Sequence, residues 1–362
     1  MSKTIILAAG GTGGHMFPAR ALADVLRTRG WRIVLITDRR GAALSDGFAD
    51  TERHVIPAAS LGGKNPIRLV IGVFSLLAGI LKSLWLILRT RPTLVAGFGG
   101  YPSFPALAAA RLSFTPIVLH EQNCVLGRTN RVFAKNAKLI ASGFDVLEKL
   151  PPAAKARHVV TGNPLRASIL ASMDKKPTAR GERLNLLVLG GSLGARILGE
   201  AVPAAVKLLP QSLQNRLDVV QQTREEQLET LRTLYAEASM NAELAPFFDD
   251  VADRLAQADL VIARAGASSV AEITAMGKPS ILIPLAIAMD DHQMRNAQTL
   301  ADQAAADVIA EEKLTPERLA ALMTVRLEDP ADLVKRGEAA RALARPTAAK
   351  DLADKIEKLG TS

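Results

Sequence analysis

The chain has 362 residues, of which 48% are apolar and 22% are charged, with one cysteine and a net charge of +9. This length suggests two domains, and a single cysteine excludes a disulfide framework or a multi-thiolate metal centre. The five histidines never fall at metal-ligand spacing, so we expect no metal site. The N-terminal apolar run is short and leads directly into glycines, which argues against a signal peptide and favours the cytoplasm.

The positive charge is concentrated in the first half of the chain. Residues 1–164 carry 21 Lys and Arg against 8 Asp and Glu, whereas residues 165–362 carry 24 against 28. This asymmetry indicates an anionic partner for the first half, such as a membrane surface, a phosphorylated substrate or nucleic acid. Nucleic acid is disfavoured because no helix-turn-helix spacing, RNP-like aromatic pattern or basic tail is present.

An internal repeat predicts the fold. Residues 5–14 (IILAAGGTGG) and 185–194 (NLLVLGGSLG) are both apolar β-type runs that end in Gly-Gly, a hydroxyl residue, one further residue and Gly, and each opens an amphipathic helix. Further apolar runs alternate with helical segments at 32–37, 94–100, 116–122, 138–142, 158–164, 217–222, 260–266, 279–284 and 307–310. The pattern predicts an α/β protein with two Rossmann-like doubly wound domains that face each other across a cleft, joined near residues 161–164.

Residues 69–88 form a long apolar stretch with a single charge, Lys82. One helical stripe is expected to pack on a sheet, and it comprises Ile67, Val70, Phe74, Leu77, Leu81, Leu84 and Leu88. A second stripe is left over, with basic residues around it, and it comprises Leu69, Val73, Leu76, Ile80 and Ile87. Apolar surface rimmed by cations predicts peripheral contact with an anionic membrane. A buried core helix and a true membrane span are the alternatives.

Three glycine-rich turns lie between a strand and a helix, at residues 10–15, 97–102 and 190–196. Such turns bind phosphate because their backbone N–H groups and the helix dipole favour negative charge. The two turns in the first half indicate two anionic ligands, or one ligand and a second diphosphate. His15 follows the first turn at a helix N-terminus, where a neutral imidazole is favoured. It is a candidate general base or hydrogen-bond donor, and a capping residue is the alternative.

Asp38 supports a rival interpretation, because it ends the second predicted strand where dinucleotide-binding folds place a ribose-binding acid. Arg39 and Arg40 would then suit the 2′-phosphate of an NADP-dependent oxidoreductase. Met16 stands where the fingerprint needs its third glycine, which disfavours this class.

In the second half, Gly266–Glu272 follows a predicted strand and opens a helix. Glu272 is either a ligand of a ribose diol or an acid favoured by the helix dipole. Arg166 is either a diphosphate ligand or a surface arginine. Residues 290–293 either cap a helix that begins near Asn296 or contact a sugar.

Together these segments closely resemble the MurG family of bacterial cell-wall glycosyltransferases. The matching segments are Gly10–Pro18 (GGTGGHMFP), Gly97–Tyr101, His120–Asn123 (HEQN), Gly127–Asn130 (GRTN), Gly162–Arg166 (GNPLR), Gly190–Arg196 (GGSLGAR), Arg264–Glu272 and Asp290–Gln293. They span nearly the whole chain, and the order of HEQN, GNPLR and GGSLGAR is highly specific. The departures are Leu193, where glutamine is usual, and Cys124, where a small residue is usual.

The resemblance implies the GT-B architecture and an inverting, metal-independent transferase without a cofactor. The implied reaction moves N-acetylglucosamine from UDP-N-acetylglucosamine to the muramyl 4-hydroxyl of undecaprenyl-pyrophosphoryl-N-acetylmuramyl-pentapeptide, in peptidoglycan synthesis and therefore in cell shape and division. The implied location is peripheral, on the cytoplasmic face of the bacterial plasma membrane, and contacts with other cell-wall synthesis proteins are left open. The expected domains are residues 1–162, which face the acceptor and the membrane, and 163–340, which bind the UDP-sugar, with a last helix from about 341 packed back on the first.

The resemblance also implies roles for individual residues. His15 is the expected catalytic histidine beside the acceptor diphosphate, for which Gly99, Gly100 and Tyr101 are the expected ligands. The backbone of Phe248 is expected to read the uracil edge, and Glu272 to accept from the ribose. The expected sugar-nucleotide contacts are Thr12, Gly13, Gly14, Asn123, Arg166, Ser192, Phe248, Ala267, Ser268, Ser269, Val270, Ala271, Glu272 and Gln293. Transfer to a different lipid such as diacylglycerol, and a non-catalytic membrane-docking module, are the remaining alternatives.

Overall fold

The computed structural model describes residues 3–45, 47–48, 51–58, 66–175, 182–191 and 194–360, without the side chains of 66–68. Ser192 and Leu193, both singled out by the sequence, lie outside the described residues. The chain divides into two compact units. The first unit comprises Met1–Arg166 and Arg345–Ser362, and the second unit comprises Ala167–Ala344. These divisions fall four residues after each of the expected boundaries at 162 and 340.

The described strands are β1 (Thr4–Ala8), β2 (Arg32–Thr37), β3 (Glu52–Val55), β4 (Leu94–Gly97), β5 (Ile117–Glu121), β6 (Leu139–Ser142), β7 (His158–Val160), β8 (Leu184–Leu189), β9 (Leu217–Gln222), β10 (Asn241–Ala245), β11 (Leu260–Ala263), β12 (Ser280–Leu282) and β13 (Ala306–Val308). The described α-helices are α1 (Gly13–Thr28), α2 (Arg39–Ala42), α3 (Pro66–Thr90), α4 (Phe104–Leu112), α5 (Arg128–Phe133), α6 (Ala167–Ser172), α7 (Arg196–Lys207), α8 (Gln211–Gln214), α9 (Leu228–Glu237), α10 (Val251–Gln257), α11 (Ala267–Ala275), α12 (His292–Ala301), α13 (Pro316–Leu327), α14 (Pro330–Ala342) and α15 (Ala348–Leu359).

Each unit contains one parallel sheet, and the two sheets share a strand order. The first sheet runs β3-β2-β1-β4-β5-β6-β7 and the second runs β10-β9-β8-β11-β12-β13. In both sheets the order reverses next to the first strand, and in such folds ligands bind at the carboxyl ends of the strands at this reversal. The turns after β1 and β4 flank this point in the first unit, and those after β8 and β11 flank it in the second. The predicted Rossmann-like α/β class is therefore confirmed, and the glycine turns lie where this fold binds ligands.

Two strands were not expected from the sequence, β3 and β10, and they occupy equivalent positions at the edge of each sheet. Their sequences, ERHV and NAELA, contain charged residues, and none of their residues is fully buried. An edge strand is paired on one side only and is partly solvated, so it does not produce the continuous apolar run that reveals a central parallel strand.

The C-terminal helix α15 packs on the first unit. Leu352, Ala353 and Ile356 are fully buried in the same core cluster as residues of β1 and α1. Burial of a large aliphatic side chain contributes about 1.5–3 kcal/mol. At the rim, Arg29 pairs with Asp354 and with Glu357 at 2.6 and 2.8 Å. The helix therefore belongs to the core of the first unit although it follows the whole second unit in sequence.

Helix α3 packs through a different face from the one predicted. Of the expected packing stripe, Val70, Phe74, Leu77, Leu81 and Leu88 are all exposed, with Phe74 at 68%. The buried positions are Gly72, Gly79, Ser83, Leu86 and Ile87. A Cβ atom at Gly79 would lie 2.2 Å from the carbonyl oxygen of Pro57 and 3.2 Å from the ring of Pro105. The prediction was wrong because the helix approaches its neighbours through small residues.

Candidate active site

The first glycine turn is built around a buried carboxylate. Asp38 follows β2 and is 5% exposed. Its Oδ1 accepts from the backbone N–H groups of Gly11 and Gly41, both at 2.9 Å. A Cβ atom at Gly10 would lie 2.6 Å from the same oxygen and 2.8 Å from Pro102. The position therefore needs glycine for internal packing alone.

The second oxygen of Asp38 holds the other glycine turn of the first unit. The Tyr101 hydroxyl donates to Oδ2 at 2.9 Å. Burial and this hydrogen bond raise the pKa of Tyr101 above its ordinary value. Both oxygens of Asp38 are thus engaged within the fold, which counts against the ribose-binding role considered above. Because the Tyr101 hydroxyl uses its one hydrogen in the bond to Asp38, residue 101 can donate to a diphosphate only through its backbone N–H.

His15 lies in the first turn of α1 and is half-buried. Its Nδ1 atom lies 2.9 Å from Gln122 Oε1. The opposite edge of the ring faces the second glycine turn, since a Cβ atom at Gly100 would lie 3.2 Å from Nε2 and one at Gly99 would lie 3.6 Å from Cε1. Both glycines have positive φ, 82° at Gly99 and 71° at Gly100. The structure therefore brings the predicted catalytic histidine and two predicted diphosphate ligands together.

Three predicted ligands, Thr12, Gly13 and Gly14, lie at the start of α1, where Gly13 is buried and the other two are half-buried. Thr12 precedes the helix, and its carbonyl oxygen accepts from the N–H groups of His15 and Met16. Gly13 and Gly14 begin the helix, where backbone N–H groups have no intrahelical acceptor. A Cβ atom at Gly13 would lie 2.6 Å from the ring of Phe17.

Asn123 is held by Glu121, a residue of the HEQN motif for which the sequence predicted no role. The Glu121 carboxylate is 3% exposed and lies at the end of β5. It accepts from the backbone N–H and the side-chain amide of Asn123 at 3.2 Å, from the Gly127 N–H at 2.9 Å and from the Asn130 amide at 2.8 Å. Four donors on one carboxylate indicate that Glu121 shapes the loop, and the HEQN motif was the signal for it.

Arg166 lies beside the first glycine turn. Its guanidinium stacks on the ring of Phe17, 4.9 Å from the centroid. Stacking fixes the orientation of the planar guanidinium, and its fork of donors suits recognition of phosphate oxygens. Phe17 is a positioning residue that the sequence analysis did not single out.

In the second unit, the turn after β8 is held by one amide side chain. Gln222, at the end of β9, donates to the carbonyl oxygens of Gly191 and Pro246 at 3.2 and 3.1 Å. Gly191 has φ of 79°, and among the described residues that are not adjacent to it in sequence, no atom lies within 4 Å of its Cβ position. The predicted ligand Ser192 follows directly and lies outside the described residues. Gln222 was also missed, because the end of a strand carries no distinguishing pattern.

Helix α11 begins at the predicted ligand segment. The backbone N–H groups of Ala267, Ser268 and Ser269 are in its first turn and lack intrahelical acceptors. The side chain of Val270 is buried, so only its backbone can meet a ligand. Ala271 and Glu272 follow, and Glu272 is the sixth residue of the helix and 7% exposed. The helix dipole stabilises an acid only within the first turn of a helix. The position of Glu272 therefore disfavours the alternative that it is there to interact with the dipole.

The side chain of Phe248 is buried, whereas that of the preceding residue, Phe247, is exposed. The Phe248 ring is 5% exposed and lies beneath the guanidinium of Arg254, 4.0 Å from the ring centroid. Arg254 is in turn held by Glu243 and Asp250, and these carboxylates raise its pKa. The fixed ring leaves the Phe248 backbone as the expected uracil contact. Phe247 is 59% exposed and was not singled out from the sequence.

Gln293 lies in the first turn of α12, which begins four residues before the expected start at Asn296. Its Oε1 atom accepts from the Leu285 N–H at 3.0 Å, which fixes the orientation of the side-chain amide. Asp290 and Asp291 precede the helix with φ of 57° and 55°. The Asp291 side chain makes no capping hydrogen bond, so the capping role considered above is not realised at this position.

Cys124, one of the two departures from the family pattern, is buried beneath the HEQN loop at 2% exposure. Burial, with the nearby carboxylates of Glu148, Asp145 and Glu121, raises the pKa of its thiol to about 12. The residue is therefore a small apolar packing element at neutral pH.

Two Rossmann-type units, each with glycine turns at its strand-order reversal, are typical of the GT-B class of glycosyltransferases. Comparison with known families agrees with this class. Residues 5–142 match the glycosyltransferase family 28 N-terminal domain, and residues 185–356 match the family 28 C-terminal domain.

Individual relatives give a narrower assignment. A protein of Maricaulis maris and one of Phenylobacterium zucineum are 50% and 48% identical, each over 99% of this chain and 98% of its own length. Both are named UDP-N-acetylglucosamine–N-acetylmuramyl-(pentapeptide) pyrophosphoryl-undecaprenol N-acetylglucosamine transferase. The crystal structure of MurG from Acinetobacter baumannii superposes with a TM-score of 0.78 at 32% identity, covering 98% of this chain and 99% of that one. The chain belongs to glycosyltransferase family 28 and, within it, to the MurG family. The oxidoreductase alternative is therefore wrong.

Proposed function

We propose that this chain transfers N-acetylglucosamine from UDP-N-acetylglucosamine to the muramyl 4-hydroxyl of undecaprenyl-pyrophosphoryl-N-acetylmuramyl-pentapeptide. One observation carries this proposal. About half of the residues, over 99% of the chain, are identical to those of relatives that are named for this transfer. The position of His15 among glycine turns agrees with it. Transfer to another lipid would use the same scaffold, and no observation favours it.

The donor is assigned to the second unit. The N–H groups at the start of α11 are suited to a phosphate, and Glu272 one turn later is suited to a ribose diol. The Phe248 backbone and the amide of Gln293 complete the proposed contacts there, with Ser192 as a further proposed ligand. Asn123 and Arg166 remain proposed donor ligands from the first unit.

His15 is assigned as the general base. The acceptor hydroxyl gives its proton to the imidazole while its oxygen forms a bond to the anomeric carbon. The bond from that carbon to the diphosphate breaks, and its electron pair leaves on UDP. The acceptor diphosphate lies near Gly13, Gly14, Gly99 and Gly100 in this proposal, and the charge on UDP is met by helix N-termini and Arg166. Metal independence stays a prediction, which EDTA treatment tests.

The deciding experiment uses UDP-N-acetylglucosamine and a synthetic lipid-linked muramyl pentapeptide, with the disaccharide product measured directly. His15→Ala should lower turnover by about 10²–10⁴-fold and leave UDP affinity unchanged, since a positioned acid–base group contributes this much to the rate. His54→Ala is the matched control, because His54 lies on edge strand β3 and pairs with Glu52. Absence of the disaccharide with the unmodified enzyme would refute the function. A loss of UDP affinity without a turnover defect would reassign His15 to the donor.

The exposed face of α3 is proposed as the membrane-docking surface. This apolar face comprises Leu69, Val70, Ile71, Val73, Phe74, Leu77, Leu81, Trp85 and Leu88. In the described part of the chain, Leu69–Thr90 is the one helix long and apolar enough to cross a membrane. Its buried face, however, packs on the first unit through Gly79 and its neighbours. Arg89 stacks on Trp85 at 5.2 Å and supplies a cation at the face. These observations support the proposal of peripheral docking on an anionic surface, on the cytoplasmic side of the membrane.

Vesicle binding tests this surface. Phe74→Ser with Leu81→Ser should release the protein from vesicles of anionic phospholipid and leave UDP binding intact. The control is Val325→Ser with Val334→Ser, two residues of the second unit that are 57% and 62% exposed. Each cation near the surface contributes about 1 kcal/mol, so binding should fall with salt. Resistance to high salt and carbonate would indicate an integral span instead.

A further inference from the structure

A chain of three side chains runs from the interior of the first unit to the candidate base. His120 Nε2 lies 3.1 Å from the carbonyl oxygen of Gly162. His120 Nδ1 lies 3.0 Å from Gln122 Nε2, and Gln122 Oε1 lies 2.9 Å from His15 Nδ1. His120 and Gln122 are 1% and 2% exposed. The chain therefore has a buried end at Gly162 and a half-buried end at His15.

The carbonyl of Gly162 sets the proton positions along this chain. A carbonyl oxygen can only accept, so His120 must carry its proton on Nε2. Burial lowers the pKa of His120 to about 4, so the ring is neutral and Nδ1 is a bare acceptor. The Gln122 amide nitrogen donates to this Nδ1 and to the His120 backbone carbonyl at 3.2 Å. Its two protons are thereby used, and its oxygen is turned towards His15.

We propose that Gln122 and His120 are positioning residues that hold neutral His15 with its proton on Nδ1, which leaves Nε2 as the proton acceptor. The other tautomer would place the bare Nδ1 against the Gln122 oxygen, 2.9 Å away, so that two acceptors would face each other and one hydrogen bond would be lost. The catalytic consequence rests on the proposed function, whereas the tautomer itself does not.

The geometry on the far side of the ring agrees with this assignment. Nε2 faces Gly100, where a Cβ atom would approach it to 3.2 Å, so glycine keeps the acceptor atom accessible. When Nε2 takes the hydroxyl proton, the Nδ1–H bond to the neutral amide is retained. An amide stabilises the resulting cation less than the carboxylate of a Ser-His-Asp triad does. The Gln122 amide therefore orients the ring without placing a negative charge beside it.

Nuclear magnetic resonance of protein labelled with ¹⁵N-histidine tests the proposal without substrate, because ring-nitrogen shifts distinguish the two tautomers. Neutral His15 should carry its proton on Nδ1 and His120 on Nε2. His158, whose Nε2 contacts Ser142 Oγ at 2.8 Å, serves as an internal reference. Gln122→Met should shift His15 towards a mixture of tautomers. Gln214→Met is the matched control, since the Gln214 amide donates only to backbone carbonyls of the second unit.

Kinetics supply the second readout. Gln122→Met should lower kcat by about 10²-fold while KM for UDP-N-acetylglucosamine changes less than about twofold, because only base orientation is lost. His120→Asn keeps an acceptor near the position of Nδ1 and should retain the His15 tautomer and most of kcat, whereas His120→Leu should lose both. A wild-type His15 with its proton on Nε2, or an unchanged His15 spectrum in Gln122→Met, would overturn the proposal. An unchanged kcat with a shifted tautomer would instead refute His15 as the base of the proposed function.

Discussion

The turns that follow the first strand of each sheet share a sequence pattern but are held in different ways. In the first unit, the buried Asp38 carboxylate accepts from Gly11, Gly41 and Tyr101, and Gly10 has no room for a Cβ atom. In the second unit, the neutral amide of Gln222 holds the turn. The first glycine is closed in this turn as well, because a Cβ atom at Gly190 would lie 2.6 Å from the backbone nitrogen of Ala195.

The turn after β11 differs from both, and it separates two reasons for glycine in a strand-to-helix turn. Gly10 is required by the packing of the protein itself, whereas open space beside a turn is available to a ligand. Gly266, at the start of α11, belongs to the second kind, since the nearest atom to its Cβ position is Ser269 Oγ at 4.0 Å. The comparison therefore predicts that changes at Gly10 and Asp38 act mainly on stability, and that changes at the start of α11 act mainly on UDP binding.

The largest effect is expected for Asp38→Ala. Three donors would lose a buried acceptor, and unsatisfied buried groups cost about 1–3 kcal/mol each, so the free energy of unfolding should fall by about 3–5 kcal/mol. Both tryptophans, Trp31 and Trp85, lie in the first unit, so urea unfolding followed by tryptophan fluorescence reports on that unit. Asp145→Ala, which removes an exposed ion pair with Arg345 within the same unit, should leave the midpoint unchanged. Equal midpoints for the two variants would contradict the structural role of Asp38.

Glu272→Ala tests the second unit. Loss of the ribose acceptor should weaken UDP binding by on the order of 1–3 kcal/mol, the range for hydrogen bonds to a charged group. Calorimetric titration with UDP measures this directly, and the tryptophan-monitored unfolding should not change. Glu237→Ala, on the exposed end of α9, is the control. Unchanged UDP affinity in Glu272→Ala would remove the ribose assignment.

Acid should destabilise the first unit through His120. Its pKa is about 4 in the folded protein against an ordinary value of 6.5. The unfolded chain therefore binds more protons between these values, and stability falls as the pH falls from about 6.5 towards 4. The loss should reach about 2 kcal/mol at pH 5 relative to pH 7.5. His120→Asn should flatten the pH dependence of tryptophan-monitored unfolding over this range, and an unchanged slope would show that other groups cause it.

The sequence predicted the central strands and the glycine turns because buried parallel strands and tight turns leave local patterns. It missed β3 and β10, which are half-solvated edges, and it chose the wrong face of α3, where Gly72 and Gly79 make the contact. It also predicted His15 as the catalytic residue but did not predict that Gln122 and His120 contact it in a chain of hydrogen bonds. The contact of His15 with Gln122 joins residues 107 positions apart, and no periodicity records which side chain meets which across a sheet.

The smallest effects are expected for a matched pair of glycine substitutions, and they test the comparison most directly. Gly10→Ala should cost about 1–2 kcal/mol of stability in the first unit, because its Cβ would overlap Asp38 Oδ1 and Pro102. Gly266→Ala should cost no stability, since φ at Gly266 is −64° and a side chain is accommodated. It should nevertheless weaken UDP binding by about 1 kcal/mol, because the methyl group would occupy space beside the first N–H groups of α11. Fluorescence-monitored unfolding gives the stability of each variant, and titration with UDP gives the affinity of each for the nucleotide. If Gly266→Ala binds UDP normally, the open space is not where the nucleotide lies. If Gly10→Ala is as stable as the parent protein, crowding does not explain the first turn.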